Sequence, residues 1–236
     1  MDNNLLLFRC SRLHPLTTDP KSKADKDAGE LSQTAKSMVR EMWLEDKYGY
    51  RERVMTDEMM KGLLCEQDSM ALVQRVLGGE FRVKSREPKS NNWIKGQCDI
   101  EMKQEDVIED IKTSYNLRTF FNAELEDNYF GQGQGYMELY GKRKYRLIYC
   151  LVPTPKKMII EEKKRLFFKF DCNEENEDYI RMCAQIEYNN ELILQIPDKD
   201  RIKVFEFGYD MEYIDKLYKR ILKAREYYKS LSLTGK

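Results

Sequence analysis

Apolar residues recur at helical spacing over Leu31 to Lys47. They do so again between Thr56-Asp57-Glu58, which has the make-up of a helix start, and Gly78-Gly79, which has that of a stop. Short apolar runs bounded by polar and turn residues predict strands at Glu80 to Lys84, Gly96 to Met102, Val107 to Lys112 and Tyr145 to Pro153. Further on come helical runs over Lys157 to Phe170 and Asn173 to Tyr188, a strand from Arg201 to Phe207, and a last helix from Met211 to Ser230. Strands interleaved with helices predict an α/β fold, a mixed β-sheet flanked by α-helices. Residues 1–30 read as an irregular N-terminal arm, and residues 31–236 as a single domain with a C-terminal helical extension. The last helix carries Met211, Ile214, Leu217, Tyr218, Ile221, Leu222 and Tyr228 in a stripe that fits core packing, with a protomer contact as the alternative.

The two strands around Lys103-Gln104-Glu105-Asp106 form the simplest kind of hairpin. If its loop is centred between Gln104 and Glu105, Met102 pairs with Val107, Ile100 with Glu109, and Asp99 lies opposite Asp110. Their Cβ atoms would then be about 5 Å apart. Because strand side chains alternate, Asp99, Glu101, Asp110 and Lys112 share one face, expected to be a polar site. Cys98, Ile100, Met102, Val107 and Ile111 share the other, expected to be core. Two facing carboxylates repel unless one is protonated, a base neutralises them or a cation sits between them. A divalent ion does this best, and oxygen ligands without paired His or Cys suit Mg²⁺ or Mn²⁺. A charged hairpin edge in a chain that is 35% charged is the plainer alternative.

Glu66 lies inside the second helical run, with Gly62, Leu63, Ser69 and Met70 three and four residues away. A carboxylate on that small, apolar face needs a partner, either a basic side chain or a metal. Downstream, Asn128 to Tyr140 combines Gln132 and Gln134 with three glycines and four aromatics. It lacks the Gly-Lys-Ser/Thr ending and the strand-glycine-helix context of a nucleotide loop. The glutamines fit polar contacts near a backbone or a metal-bound water, or the solvent face of an amphipathic helix.

In order and content these segments resemble the PD-(D/E)XK nuclease superfamily, and within it the lambda-type bacteriophage recombination exonucleases and their RecB-like relatives. The resemblance rests on Lys61 to Glu66, Gly96-Gln97-Cys98-Asp99-Ile100, Asp110-Ile111-Lys112-Thr113-Ser114, Gln132 to Met137 and Leu147 to Pro155. It implies a restriction-endonuclease-like core and a DNA phosphodiesterase. Glu66, Asp99 and Asp110 would hold Mg²⁺ or Mn²⁺ with the carbonyl of Ile111, and Lys112 would orient or deprotonate water. It also implies a contact to the site from Gln132 or Gln134, with Tyr136 nearby. Cys98 stands where the name-giving motif has proline, and Asp110 where many members have glutamate. Three functions stay open: an exonuclease at duplex DNA ends in phage-type recombination or DNA processing, an endonuclease of the same superfamily, and a non-catalytic DNA-binding or assembly protein. The resemblance further implies a trimer and raises a single-strand annealing protein as a partner.

Composition changes this picture little. Forty-one basic and 41 acidic residues cancel, so any pull on DNA must come from local patches. Two are apparent: Arg82, Lys84, Arg86, Lys89 and Lys95, and Lys142-Arg143-Lys144 with Arg146. A solvated strand face and a basic turn are their plainer readings. Six cysteines without a C-x-x-C pair read as reduced residues of a cytoplasmic protein, in host cytoplasm if phage-encoded, and argue against the iron-sulfur RecB-like members. His14 is the only histidine, which argues against histidine-based catalysis and histidine metal sites. Leu5-Leu6-Leu7-Phe8 is too short for a signal or a membrane span.

Overall fold

A computed structural model describes residues 5–52, 55–171 and 173–234. From the N-terminus come β1 (Phe8–Arg9), α1 (His14–Thr17), α2 (Lys23–Asp27), α3 (Gln33–Tyr48), α4 (Asp57–Leu64) and α5 (Glu66–Leu77). There follow β2 (Lys89–Ser90), β3 (Ile94–Gly96), β4 (Ile100–Met102), β5 (Val107–Thr113), α6 (Leu117–Phe121), α7 (Asp127–Tyr140) and β6 (Lys144–Cys150). The chain ends with α8 (Lys156–Lys169), α9 (Glu177–Gln195), β7 (Ile202–Gly208) and α10 (Met211–Ser230). One sheet has the order β1-β3-β2 and the other β4-β5-β6-β7, in which only β5 and β6 run parallel.

The hairpin register is the expected one: Ile100 pairs with Glu109 and Met102 with Val107. Its faces differ from expectation. Ile108, on the face of Asp110, is fully buried with Tyr145 and Leu147 against α7 and α10. Ile100, Met102 and Val107, on the opposite face, pack with Met70 of α5, while Ile148 and Cys150 of β6 pack with Leu72 and Val73. The four-stranded sheet is therefore covered on both sides, and the polar site is confined to its edge.

Three further departures shape that edge. The expected strand from Gly96 to Met102 is divided between sheets, β3 in one and β4 in the other, and Asp99 sits at the crossing. Gly96 is required there, because a Cβ would lie 2.8 Å from Tyr136 Cε1 and 2.9 Å from Cys10 Sγ. The expected strand from Glu80 to Lys84 contributes only a bridge from Lys84 to Ile100, since buried side-chain bonds of Arg82 hold the segment instead. The helix from Thr56 breaks at Cys65, whose φ of −101° and ψ of 10° leave the helical range, so Glu66 becomes the first residue of α5.

Residues 1–30 are less irregular than expected. Phe8 pairs with Ile94, and Phe8, Cys10, Leu13 and Leu16 are buried in the main core. The α9 helix starts later and runs further than its predicted span, from the Asn176 cap, which accepts the N–H of Tyr179, to Gln195 just ahead of Pro197. In α10, Ile214, Leu217 and Ile221 are core, whereas Met211 and Leu222 are exposed. Four cysteines are buried, Cys183 is half-buried, and all five are free; Cys172 lies outside the described residues. No described helix is long and apolar enough to cross a membrane.

Candidate active site

The β4 ladder ends at Ile100, while β5 continues to Thr113, so Asp110, Ile111 and Lys112 run past the end of their antiparallel neighbour. Continuing the register by one residue puts Asp99 opposite Asp110. A cleft of about 490 Å³ opens at this edge, lined by Glu66, Lys84, Asp99, Ile111, Lys112 and Tyr129, with Met59 and Leu63 of α4 on one wall.

Asp110 is fully buried, and the protein has built partners around it. Its Oδ2 accepts hydrogen bonds from Tyr145 Oη at 2.8 Å and from Gln132 Nε2 at 3.0 Å. Its Oδ1 is ion-paired with Lys112 Nζ at 2.8 Å, and the Asp99 carboxyl lies alongside. Burial alone would raise the Asp110 pKa, but Lys112, Asp99 and Tyr145 together hold it below the ordinary value. Asp99 moves the other way: burial, then the adjoining Asp110, push it up to about 8. Lys112 is kept charged because Asp110 and Asp99 outweigh its burial, and its ammonium sits 5.2 Å from the centroid of the Tyr129 ring.

Glu66 faces the cleft but is paired with Lys84. As the side chains stand, no three acidic, histidine or cysteine groups among the described residues are gathered closely enough to ligate one ion. The two glutamines of α7 are separated by function. Gln132 reaches Asp110, whereas the fully buried Gln134 donates to the carbonyl of Gly208 and accepts the N–H of Asp210, tying α7 to the β7–α10 junction. Neither is a solvent-facing side chain of an amphipathic helix. Gly133 and Gly135 let α7 sit this close, since a Cβ would meet Phe207 Cζ at 2.6 Å or Leu13 Cδ1 at 2.4 Å. Tyr136 packs on Gly96 rather than lining the cleft, and Tyr129 and Tyr149 are its aromatic walls.

The two basic segments also change meaning. Arg82 is buried, donating to both oxygens of Glu109 at 2.6 and 3.1 Å, and Arg146 reaches the same carboxylate at 2.6 Å. These arginines neutralise an internal acid and are not free for phosphates. Lys95 is exposed, and Lys89 lies over the Tyr140 ring at 4.1 Å.

Residues that sequence reasoning did not single out include Tyr145 and Tyr129. Tyr145 pairs with Ile108, diagonal to Asp110, and only the parallel pairing of β5 with β6 puts it there. A weak signal existed in the alternation of Tyr145, Leu147 and Tyr149, which marks one strand face without saying which neighbour it meets.

A solved structure of a phage related exonuclease from Haemophilus somnus 129PT is 32% identical to the chain, covers 96% of both chains and superposes with a TM-score of 0.76. The chain belongs to this phage-related exonuclease family. Its fold is the expected restriction-endonuclease-like one. The alkaline exonuclease LHK-Exo from Laribacter hongkongensis shares that fold at 12% identity and a TM-score of 0.61, over 96% of this chain and 89% of the other. A structure of LHK-Exo in complex with dAMP matches over the same shares at 11% identity and a TM-score of 0.59. No protein-family model and no curated protein matches the chain.

Two adjoining carboxylates, one of them pushed up by burial and by the other's charge, suit a hard cation with oxygen ligands. Asp99 and Asp110 would supply oxygen donors once Lys112 gives way at Asp110 Oδ1, and Glu66 a third once it leaves Lys84.

Two expected results follow from the geometry. Asp99 holds a proton in the folded chain up to about pH 8, which it would release near the ordinary carboxylate range when unfolded. The stability from this group is complete below that range and is lost as pH rises through about 8. In EDTA the melting temperature should therefore fall between pH 6 and pH 8, and added Mg²⁺ should raise it more at pH 8. A Tm that rises with pH over this interval would contradict the carboxylate pair. Tyr145→Phe keeps the ring and removes the hydroxyl from Asp110 Oδ2. It should cost about 1.5–3 kcal/mol in denaturant unfolding and weaken Mn²⁺ binding about tenfold or more.

Proposed function

We propose that the chain is a metal-dependent DNA exonuclease that hydrolyses phosphodiester bonds at duplex ends, in phage-type recombination or DNA processing. The observation that carries this is buried Asp110, held by Tyr145 and Gln132 on one oxygen and by Lys112 on the other, next to Asp99 on the wall of an open cleft. Membership of the phage-related exonuclease family supports the reading, as does the capture of dAMP by LHK-Exo, a protein of the same fold.

In this reading Asp99, Asp110 and Glu66, with the main chain of Ile111, hold Mg²⁺ or Mn²⁺. The cation would supply charge stabilisation at the phosphate and make water a better nucleophile. Tyr145 and Gln132 keep Asp110 oriented and ionised. Lys112 is held protonated by its two acidic neighbours, so it is better suited to orient the water and donate to a phosphoryl oxygen than to accept a proton. Tyr129, over the ammonium, narrows the positions it can take.

The test is release of acid-soluble nucleotides from linear duplex DNA and from a covalently closed circle, each with Mg²⁺ or Mn²⁺ and with EDTA. Digestion of the linear form alone, lost in EDTA, is the expected result. Cutting of the circle would make the protein an endonuclease, and no cutting of either form would leave only a DNA-binding role.

A further inference from the structure

Lys84 is a basic residue of the cleft that the proposed chemistry does not use, and its backbone is held unusually well for a residue outside any regular strand. It bridges to Ile100, and the N–H of Ser85 donates to the carbonyl of Asp99 at 2.7 Å. Two residues upstream, buried Arg82 is fixed by Glu109 and by the carbonyl of Gly78 at 2.8 Å. The segment is thus bonded to the Asp99 backbone on one side and to the interior of the sheet on the other. From this fixed base the Lys84 side chain, 45% exposed, reaches into the cleft and pairs with Glu66, itself 41% exposed. Lys84 therefore occupies the carboxylate that a third metal ligand would have to supply.

We propose that Lys84 is a positioning residue that couples cation binding to phosphate binding: it is the counter-ion of Glu66 in the metal-free protein, and it turns to a DNA phosphate when a divalent cation takes Glu66. The proposal rests on the metal-dependent reading above. Its physical basis is that an ammonium and a divalent ion on one carboxylate repel each other, so they compete for Glu66. A freed ammonium on a short, fixed segment beside the reacting phosphate would gain a new anionic partner. Both side chains are about half exposed, so the exchange requires rotamer changes and no unfolding. The cation should then strengthen DNA binding by more than its own contacts supply, because it releases a second positive group.

The experiment compares the native chain with Lys84→Met, Lys84→Gln and Lys84→Arg. Mn²⁺ is titrated calorimetrically without DNA, and a short 5′-phosphorylated duplex is titrated by fluorescence anisotropy with and without Ca²⁺. Lys84→Met and Lys84→Gln should bind Mn²⁺ about threefold more tightly or better, since a competing ammonium is gone. They should also bind the duplex more weakly in Ca²⁺ and show a smaller gain on adding Ca²⁺. Lys84→Arg should resemble the native chain. Damage to the fold would weaken Mn²⁺ binding, so a tighter value cannot come from a merely structural role. Unchanged or weaker Mn²⁺ binding in both neutral variants, with the native chain binding normally, overturns the assignment of Lys84 alone. If the native chain binds no Mn²⁺, the metal-dependent reading falls and this proposal falls with it.

Discussion

Lys112→Ala is expected to lower turnover on linear duplex DNA by about 10²–10³-fold, the range for removing one donor aimed at charge that develops in the transition state, while leaving duplex affinity within a fewfold of native. The reason lies in placement. Lys112 follows Asp110 by two residues on the same face of β5, its Nζ is 2.8 Å from Asp110 Oδ1, and it opens onto the cleft beside Tyr129. Its charge matters most when charge builds on the phosphoryl oxygens, so the loss should appear in kcat and hardly in KM. Steady-state kinetics on end-labelled duplex, with binding followed separately in Ca²⁺, would measure both. A variant that keeps more than a tenth of native turnover would remove Lys112 from the chemistry. Removing the lysine also leaves Asp110 without its nearest cation, so without metal the carboxylate pair should hold its one proton more tightly.

Glu109→Ala should give the largest loss of stability of any single change considered, about 3–5 kcal/mol, as for removal of one partner from a buried ion pair. Glu109 has no exposed side-chain surface and stands between Arg82, 3% exposed, and Arg146, 19% exposed. Arg146 keeps Glu206 at 3.1 Å, so the cost falls mainly on Arg82, which retains only the Gly78 carbonyl and the Gln74 amide oxygen. At about 2–4 °C per kcal/mol for a chain of this size, the melting temperature should drop by about 6–20 °C. Glu109→Gln, which keeps hydrogen-bonding capacity without the charge, should lose less. Thermal and denaturant unfolding would decide, and a loss below about 1 kcal/mol would show that the network relaxes without its acid. Because Glu109 precedes Asp110 and Arg82 precedes Lys84 by two residues, weakening this pair should also blur the edge that carries Asp110 and Lys84.

Local pattern alone carried much of the site. The turn at Lys103 to Asp106 and the alternation on either side determined the pairing of Ile100 with Glu109, because a hairpin's register follows from its loop. That pairing was enough to set Asp99 against Asp110 and to put Lys112 on the same face. Helix caps did similar work at Ser32, Thr56 and Asp210, each of which accepts a backbone N–H of the first turn. These are short-range effects, so they are written in neighbouring residues.

Tertiary structure decided everything that depends on which elements meet. Arg82 and Arg146 look like phosphate-gripping cations in the chain, yet they close on Glu109 across β5 and β6, an ion pair that no local pattern encodes. Gln132 and Gln134 are equivalent by sequence, and the packing of α7 alone sends one to Asp110 and the other to the β7–α10 junction. The helix carrying Glu66 breaks at Cys65, whose thiol lies near the carbonyl of Pro153, and the strand carrying Asp99 changes sheets where Gly96 meets Tyr136 and Cys10. By itself the sequence determined the local register that sets two aspartates and a lysine on one strand face, since backbone period and turn length suffice for that. The partners of each charge, the face each glutamine serves and the edge at which the cleft opens came only from the fold, because burial and long-range contact set them.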